Sequence, residues 1–170
     1  MLTTTLNRIK IHSPCSSGAF RLLRGLDKTR ADDERLPFAR ILEISGLDDV
    51  EWCCRAEPRL DHIWRLYAVR SARRLESLMS DQRSMLALEV AEKFLNKRAT
   101  SEDLDMAWKR ARAAENVPGI IWHAASFASR TVAPFAAEAV AWTAAMTAGR
   151  TKEWVAEREA QKEIFLELVS

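Results

Sequence analysis

Residues 50–64, VEWCCRAEPRLDHIW, carry the side chains best suited to metal or thiol chemistry in this sequence. Two adjacent cysteines, Cys53 and Cys54, lie among three carboxylates and a histidine. Adjacent residues on a helix point about 100° apart, so this pair does not chelate one ion as a C-x-x-C pair does. Asp49, Cys53 and Glu57 share a helical face, but one thiolate with two carboxylates suits no common metal. The stretch therefore favours buried thiols over a metal site.

Two other pairs could form a nucleophile and a base. His12 and Cys15 lie in the motif HSPC, and His123 precedes Ser126 by about one helical turn. For His12 and Cys15 no third group is evident to orient the base, which such catalysis requires, and His123 is more simply interpreted as a helix histidine at a groove or a core edge. No phosphate-binding glycine loop, H-E-x-x-H motif or nucleophile elbow occurs either. We therefore predict no catalytic residue, no cofactor and no metal ligand, so the chain is not expected to be an enzyme.

A run of arginines offers a binding surface instead. Arg70, Arg73 and Arg74 share one face of a predicted helix, and Arg65 precedes them by about one turn. This face could contact phosphates or an acidic protein. The alternative is a solvated face whose arginines pair with nearby acids. With a net charge of only +2, we predict a protein partner rather than nucleic acid at these four residues.

Composition places the chain among ordinary globular proteins. It has 170 residues, of which 48% are hydrophobic and 29% charged, so it can bury a core of normal size. Three cysteines, two of them adjacent, give no disulfide framework. No export signal and no long apolar span are visible, so we expect a cytoplasmic location without membrane contact.

Hydrophobic spacing predicts an all-α fold of about seven to eight helices, short at first and then antiparallel, alanine-rich and tightly packed. Residues 1–16 are expected to be a tail or short extended segment, before a single helical domain over 17–170. A capping box at Thr100 and Asp103 marks the clearest helix start. The predicted core residues are apolar or aromatic at helical spacing: Trp52, Cys53, Ile63, Trp64, Phe94, Trp108 and Trp142.

Three motifs, KTRADDE, GLDDVEWC and SDQRSMLALEVAE, make the chain resemble helical proteins of bacteria and prophages that have alanine- and tryptophan-rich C-terminal halves. Residues 65–114 also resemble the Imm-5-like immunity proteins. This chain and that family share the same order of segments before an alanine-rich half. The order is a helix, a turn containing Asp and Arg, a second helix and a T/S-x-x-E/D-L helix start. The resemblance covers about residues 12–167.

The resemblance implies a non-enzymatic protein that binds and neutralises a toxin or effector protein. It carries no catalytic residue over to this chain. Three alternatives remain open: a phage-encoded inhibitor of a host defence system, a helical protein that binds nucleic acid through Arg70–Arg74, and a small helical enzyme that uses His123 or the region of Cys53 and Cys54.

Overall fold

The computed structural model describes residues 1–74, 76, 81–113 and 152–170. These residues form eight α-helices, which confirms the predicted all-α class. The helices are α1 (Leu6–Ile11), α2 (Ser16–Gly25), α3 (Phe38–Ser45), α4 (Leu47–Cys53), α5 (Asp61–Arg73), α6 (Gln82–Leu95), α7 (Ser101–Arg112) and α8 (Lys152–Val169). Two 3-10 turns, Cys54–Ala56 and Pro58–Leu60, connect α4 to α5. The sequence also predicts alanine-rich helices over 118–130 and 133–148, and both ranges lie outside the described residues.

The N-terminal segment contains a short strand and a helix. Thr3–Thr4 forms a strand, β1, that pairs antiparallel with a second strand, β2 (Leu36–Pro37). Helix α1 follows, and its Leu6 and Ile9 are buried in the core. The amide of Leu2 also donates to the carbonyl of Val169 over 2.7 Å. A helix of only six residues is too short to show a period in the sequence, and tertiary packing stabilises it.

Several helix ends follow their local sequence. Thr100 and Asp103 form the predicted reciprocal capping box, and the Asp81 side chain caps α6. Gly46 adopts a positive φ of 84° and is the single residue between α3 and α4, a conformation that glycine adopts without strain. The sequence favours a serine as the cap of α2 and Asp48 as the cap of α4. Both expectations were wrong, because Cys15 caps α2 and Gly46 precedes α4.

Four aromatic rings form the centre of the described core. Phe165 of α8 stacks on Trp64 at a centroid distance of 6.2 Å and meets Tyr67 edge-on at 5.4 Å. Phe38 of α3 packs edge-on against Trp64 at 5.0 Å. All four side chains are fully buried. Edge-on and stacked rings add pairwise attraction to the burial of apolar area, so this cluster joins α3, α5 and α8.

The predicted core residues occupy different depths. Cys53 and Trp64 are buried, whereas Trp52, Ile63 and Phe94 are partly buried against the core. Trp108 is also partly buried. Trp142 lies outside the described residues.

Helix α5 is the central element, in contact with both α6 and α8. Within the described ranges, no helix combines the length and the apolar character needed to cross a lipid bilayer.

Replacing Phe165 by alanine should lower the free energy of unfolding by about 3–5 kcal/mol, because a fully buried ring would leave a cavity. Urea denaturation followed by circular dichroism measures this change. The matched control is Phe20→Ala, whose ring is 65% exposed and whose loss should change stability by less than about 0.5 kcal/mol. Equal effects of the two substitutions would contradict the described core.

Candidate functional site

The predicted partner-binding arginines do not form one exposed patch. Arg65 is only 1% exposed. Its Nη2 lies 3.3 Å from Asp61 Oδ2, and its guanidinium carbon lies 5.0 Å from the centroid of the Phe94 ring. Burial lowers the pKa of Arg65. A side chain in this position cannot contact a partner, so the assignment of Arg65 to the binding surface was wrong: its long stem packs inside the helix bundle.

The other three arginines pair with carboxylates from different helices. Arg70 contacts Glu167 through two hydrogen bonds of 2.9 and 2.7 Å. Arg73 contacts Glu92 through two bonds of 2.8 Å. Such two-bond pairs are the strongest arginine–carboxylate contacts.

Arg74 Nε donates to Glu157 Oε2 over 2.9 Å. The three ion pairs connect α5 to α6 and α8. Because each arginine is paired with a carboxylate, this face carries little net charge. This is the alternative that the sequence left open, a face paired with acids.

A groove of about 480 Å³ opens beside two of these pairs, between α5, α6 and α8. Its lining has an apolar part, which we call the floor and which consists of Leu66, Val69, Leu95 and Ile164, and a polar part, which we call the rim and which consists of His62, Arg70, Arg73, Glu92 and Asn96. An apolar floor within a polar rim that contains arginine is the usual composition of a protein-binding site. We call this feature the α5–α6–α8 groove.

Glu51 forms a second polar site, which the sequence did not indicate. Its carboxylate is 2% exposed, accepts a short hydrogen bond from the Tyr67 hydroxyl and lies 3.3 Å from Arg158 Nη2. Burial raises the pKa of Glu51 to about 7, although Arg158 and Tyr67 act in the opposite direction. No local pattern could have revealed this site, because Arg158 lies 107 positions further along the chain.

The Glu51 site is continuous with the arginine pairs. Arg158 also contacts Asp48 and donates to Gln161 over 2.7 Å. Gln161 in turn donates to Glu157 over 2.9 Å, and Glu157 accepts from Arg74. A single polar network therefore runs from α4 through α8 to the end of α5. Because its members satisfy one another, it favours one packing of these helices.

The cysteine-rich stretch forms no metal site. Asp49 pairs with Arg21 at 3.0 Å and Glu57 with Arg8 at 2.7 Å, while Cys53 lies in the core. Burial raises the pKa of Cys53 to about 12. In the described part of the chain, no three histidine, cysteine or acidic side chains are placed to hold a metal ion.

Of the two pairs of a histidine with a nucleophile that the sequence suggested, one lies within the described residues. The Cys15 thiol lies 3.4 Å from both the Ser17 hydroxyl and the Gly18 amide, and these contacts lower its pKa. They form the N-terminal cap of α2 and do not involve His12. His62 is exposed at the rim of the groove. His123 and Ser126 lie outside the described residues.

Comparisons with family models, curated proteins and solved structures found no match. The resemblance to the Imm-5-like immunity proteins therefore stays an expectation.

The three thiols should react at very different rates. In the folded protein we expect one equivalent of thiol to react rapidly with a disulfide reagent, because Cys15 is exposed whereas Cys53 and Cys54 are buried. Absorbance at 412 nm follows the reaction with Ellman's reagent. Cys15→Ser should abolish the rapid phase and leave two thiols that react only in denaturant. Rapid reaction of two or three thiols in the native protein would contradict this placement.

Stability should decrease as pH rises through the titration of Glu51. Its pKa rises from 4.5 in the unfolded chain to about 7 in the folded protein. The folded state therefore binds the proton more tightly, and the stabilisation is complete below pH 4.5 and lost as pH approaches 7. A shift of this size corresponds to roughly 3 kcal/mol.

Glu51→Gln is the control for this decrease, since it cannot titrate but keeps an oxygen to accept from Tyr67. The free energy of unfolding of both proteins is measured by urea denaturation across this pH range. The wild-type value should fall relative to the variant by roughly 2–3 kcal/mol. Parallel pH profiles would show that Glu51 has an ordinary pKa.

Proposed function

We propose that this chain is a non-enzymatic protein-interaction module of the immunity or inhibitor type, which binds and neutralises a toxin or effector protein. The observation that carries the proposal is the α5–α6–α8 groove. It combines an apolar floor with two arginines of α5 that pair with carboxylates of α6 and α8, and the polar network further links α8 to the end of α5 through Glu157. Such a preorganised surface lowers the cost of ordering side chains upon binding.

The dimensions of the groove favour a helical segment of the partner. One turn of an α-helix is about 10 Å wide and 5.4 Å long, which corresponds to a volume of about 400 Å³. The groove offers about 480 Å³. Leu66, Val69, Leu95 and Ile164 would receive the apolar face of that turn, as in helix-in-groove recognition.

The rim favours a partner that carries carboxylates. Arg70 is about one-third exposed and contacts the exposed Glu167, so an incoming carboxylate can compete for its guanidinium. Arg73 and Glu92 form a second ion pair in the lining of the groove. Replacing the Glu167 carboxylate by a carboxylate of the partner leaves the charge around the arginine unchanged. The geometry of the two hydrogen bonds would then select the partner.

The same pairing argues against nucleic acid as the partner. Phosphate binding relies on an uncompensated positive field, and here Glu167, Glu92 and Glu157 neutralise the three arginines. A phage-encoded inhibitor of a host defence protein would use the same groove, so it differs from an immunity protein only in the partner.

The test is a charge swap that inverts the rim of the groove but keeps the internal ion pair. Arg70→Glu combined with Glu167→Arg should weaken the complex at least tenfold, because the exchanged charges face the partner in the wrong order. A tagged copy captures the partner from the native cell, and affinity is then measured with the purified partner. Co-expression should rescue growth from the partner's toxicity with the wild type and not with the swap.

The matched control swaps Arg40 and Glu43, an exposed pair on α3 with a distance of 2.5 Å. It should leave both affinity and rescue unchanged, while circular dichroism shows that both variants are folded. Full rescue by the groove variant would exclude the groove as the binding site. Salt-dependent binding to DNA or RNA that the groove swap abolishes would favour the nucleic-acid alternative instead.

A further inference from the structure

A second cavity, remote in sequence from the groove, lies between α1, α2 and the connection that follows α2. It has a volume of about 320 Å³. Most of its wall is apolar and consists of Leu6, Ile9, Pro14, Ala19, Leu22, Leu23 and Ala31, and its polar residues are Lys10, Thr29 and Arg30. Neither the sequence patterns nor the proposed function accounts for this cavity.

The charges around this cavity have one sign. Lys10 and Arg30 line it, and none of its described lining residues is acidic. The neighbouring cavity of about 290 Å³ differs, because Asp48 and Asp49 line it. The two cavities share four lining residues, Ile9, Pro14, Ala19 and Leu22. Of these two cavities, the one lined by Lys10 and Arg30 is therefore the one with a positively charged lining.

Three acids that follow Arg30 in the sequence have partners, and Arg30 itself, after Lys28, helps to lower the pKa of Asp32. Asp32 and Glu34 each lie 2.6 Å from Lys28 Nζ. Asp33 accepts a hydrogen bond of 2.9 Å from the Asn7 side chain. An anion entering the cavity would therefore meet Lys10 and Arg30 without breaking any of these three contacts, and it would share the charge of Arg30 with Asp32.

The size of the cavity suits a small molecule. At about 30 Å³ for each water-sized group, the cavity holds about ten such groups. A chain of eight to ten carbons has this size.

We propose that this cavity binds a small amphiphile with an anionic head, its head at Lys10 and Arg30 and its chain against Leu6, Ile9 and Leu23. The ligand class is that of medium-chain carboxylates, and alkyl sulfates or phosphates present the same chemistry. This site is independent of the α5–α6–α8 groove, so either proposal can fail without the other.

The first test measures the affinity of the full chain for a series of carboxylates with six to fourteen carbons by isothermal titration calorimetry. Each added methylene should tighten binding roughly fourfold until the cavity is filled. Affinity should then stop rising near ten carbons, at a stoichiometry of one. An increase that continues through fourteen carbons, or no binding at any length, would overturn the proposal.

The second test varies the head group at ten carbons. Decanoate and decyl sulfate should bind at least tenfold more tightly than decanol and decylamine. The ratio of decanoate to decyl sulfate separates a carboxylate site from a general anion site. The double variant Lys10→Glu/Arg30→Glu should abolish the preference for anions, whereas Arg24→Glu, an exposed change on α2 outside the cavity lining, should preserve it.

A third variant tests the cavity itself. Ala19→Leu places three additional carbons against its wall and should shift the optimal chain length downward or abolish binding, with unchanged circular dichroism. Anion preference that survives the double charge reversal, or an unchanged optimal length in Ala19→Leu, would place the ligand elsewhere.

Discussion

The contact between Phe165 and the aromatic pair Trp64 and Tyr67 is the interaction on which the rest of the described structure depends. It places α8 against α5 although about 100 residues separate them in sequence. All three rings are fully buried, so their packing contributes more than any surface contact nearby. With α8 packed against α5, its acidic residues reach the arginines of α5. The carbonyl of Val169 also accepts a hydrogen bond from the amide of Leu2.

The electrostatics of the molecule follow from this placement. Glu157 and Glu167 compensate two arginines of the basic face, while Arg158 from the same helix reaches the buried Glu51. A carboxylate with so little exposure is costly to ionise, which is why burial raises its pKa despite the nearby guanidinium. Helix α8, which provides Phe165 for the aromatic contact, thus also provides carboxylates that form ion pairs with the arginines of α5.

Local features of the fold could be predicted from the sequence, and long-range ones could not. The capping box at Thr100 and the cap at Asp81 depend on residues within three positions, so the pattern contains the whole interaction. Pro58 begins the second 3-10 turn after the two cysteines, and the constraint that proline places on the backbone is equally local. The partner of Glu51 lies 107 positions away, and no periodicity carries that information.

The candidate site shows the same limit. The sequence placed Arg70 and Arg73 correctly on one helix but could not reveal that Glu167 and Glu92 would pair with them. The sequence also assigned Arg65 to the exposed face, because an arginine on a helix is usually solvated. Its burial results from the packing of the helices around it, which no local pattern shows. The groove exists only after α5, α6 and α8 pack together.

The central claim is that the α5–α6–α8 groove is the surface that contacts a protein partner. Amide hydrogen exchange with mass spectrometry, on the chain alone and in complex with its captured partner, tests this claim most directly. Binding should slow exchange in peptides that cover residues 62–73 of α5, the end of α6 around Leu95 and the region of α8 around Ile164. Protection confined to α1 and α2, with exchange in these three segments unchanged, would contradict the account.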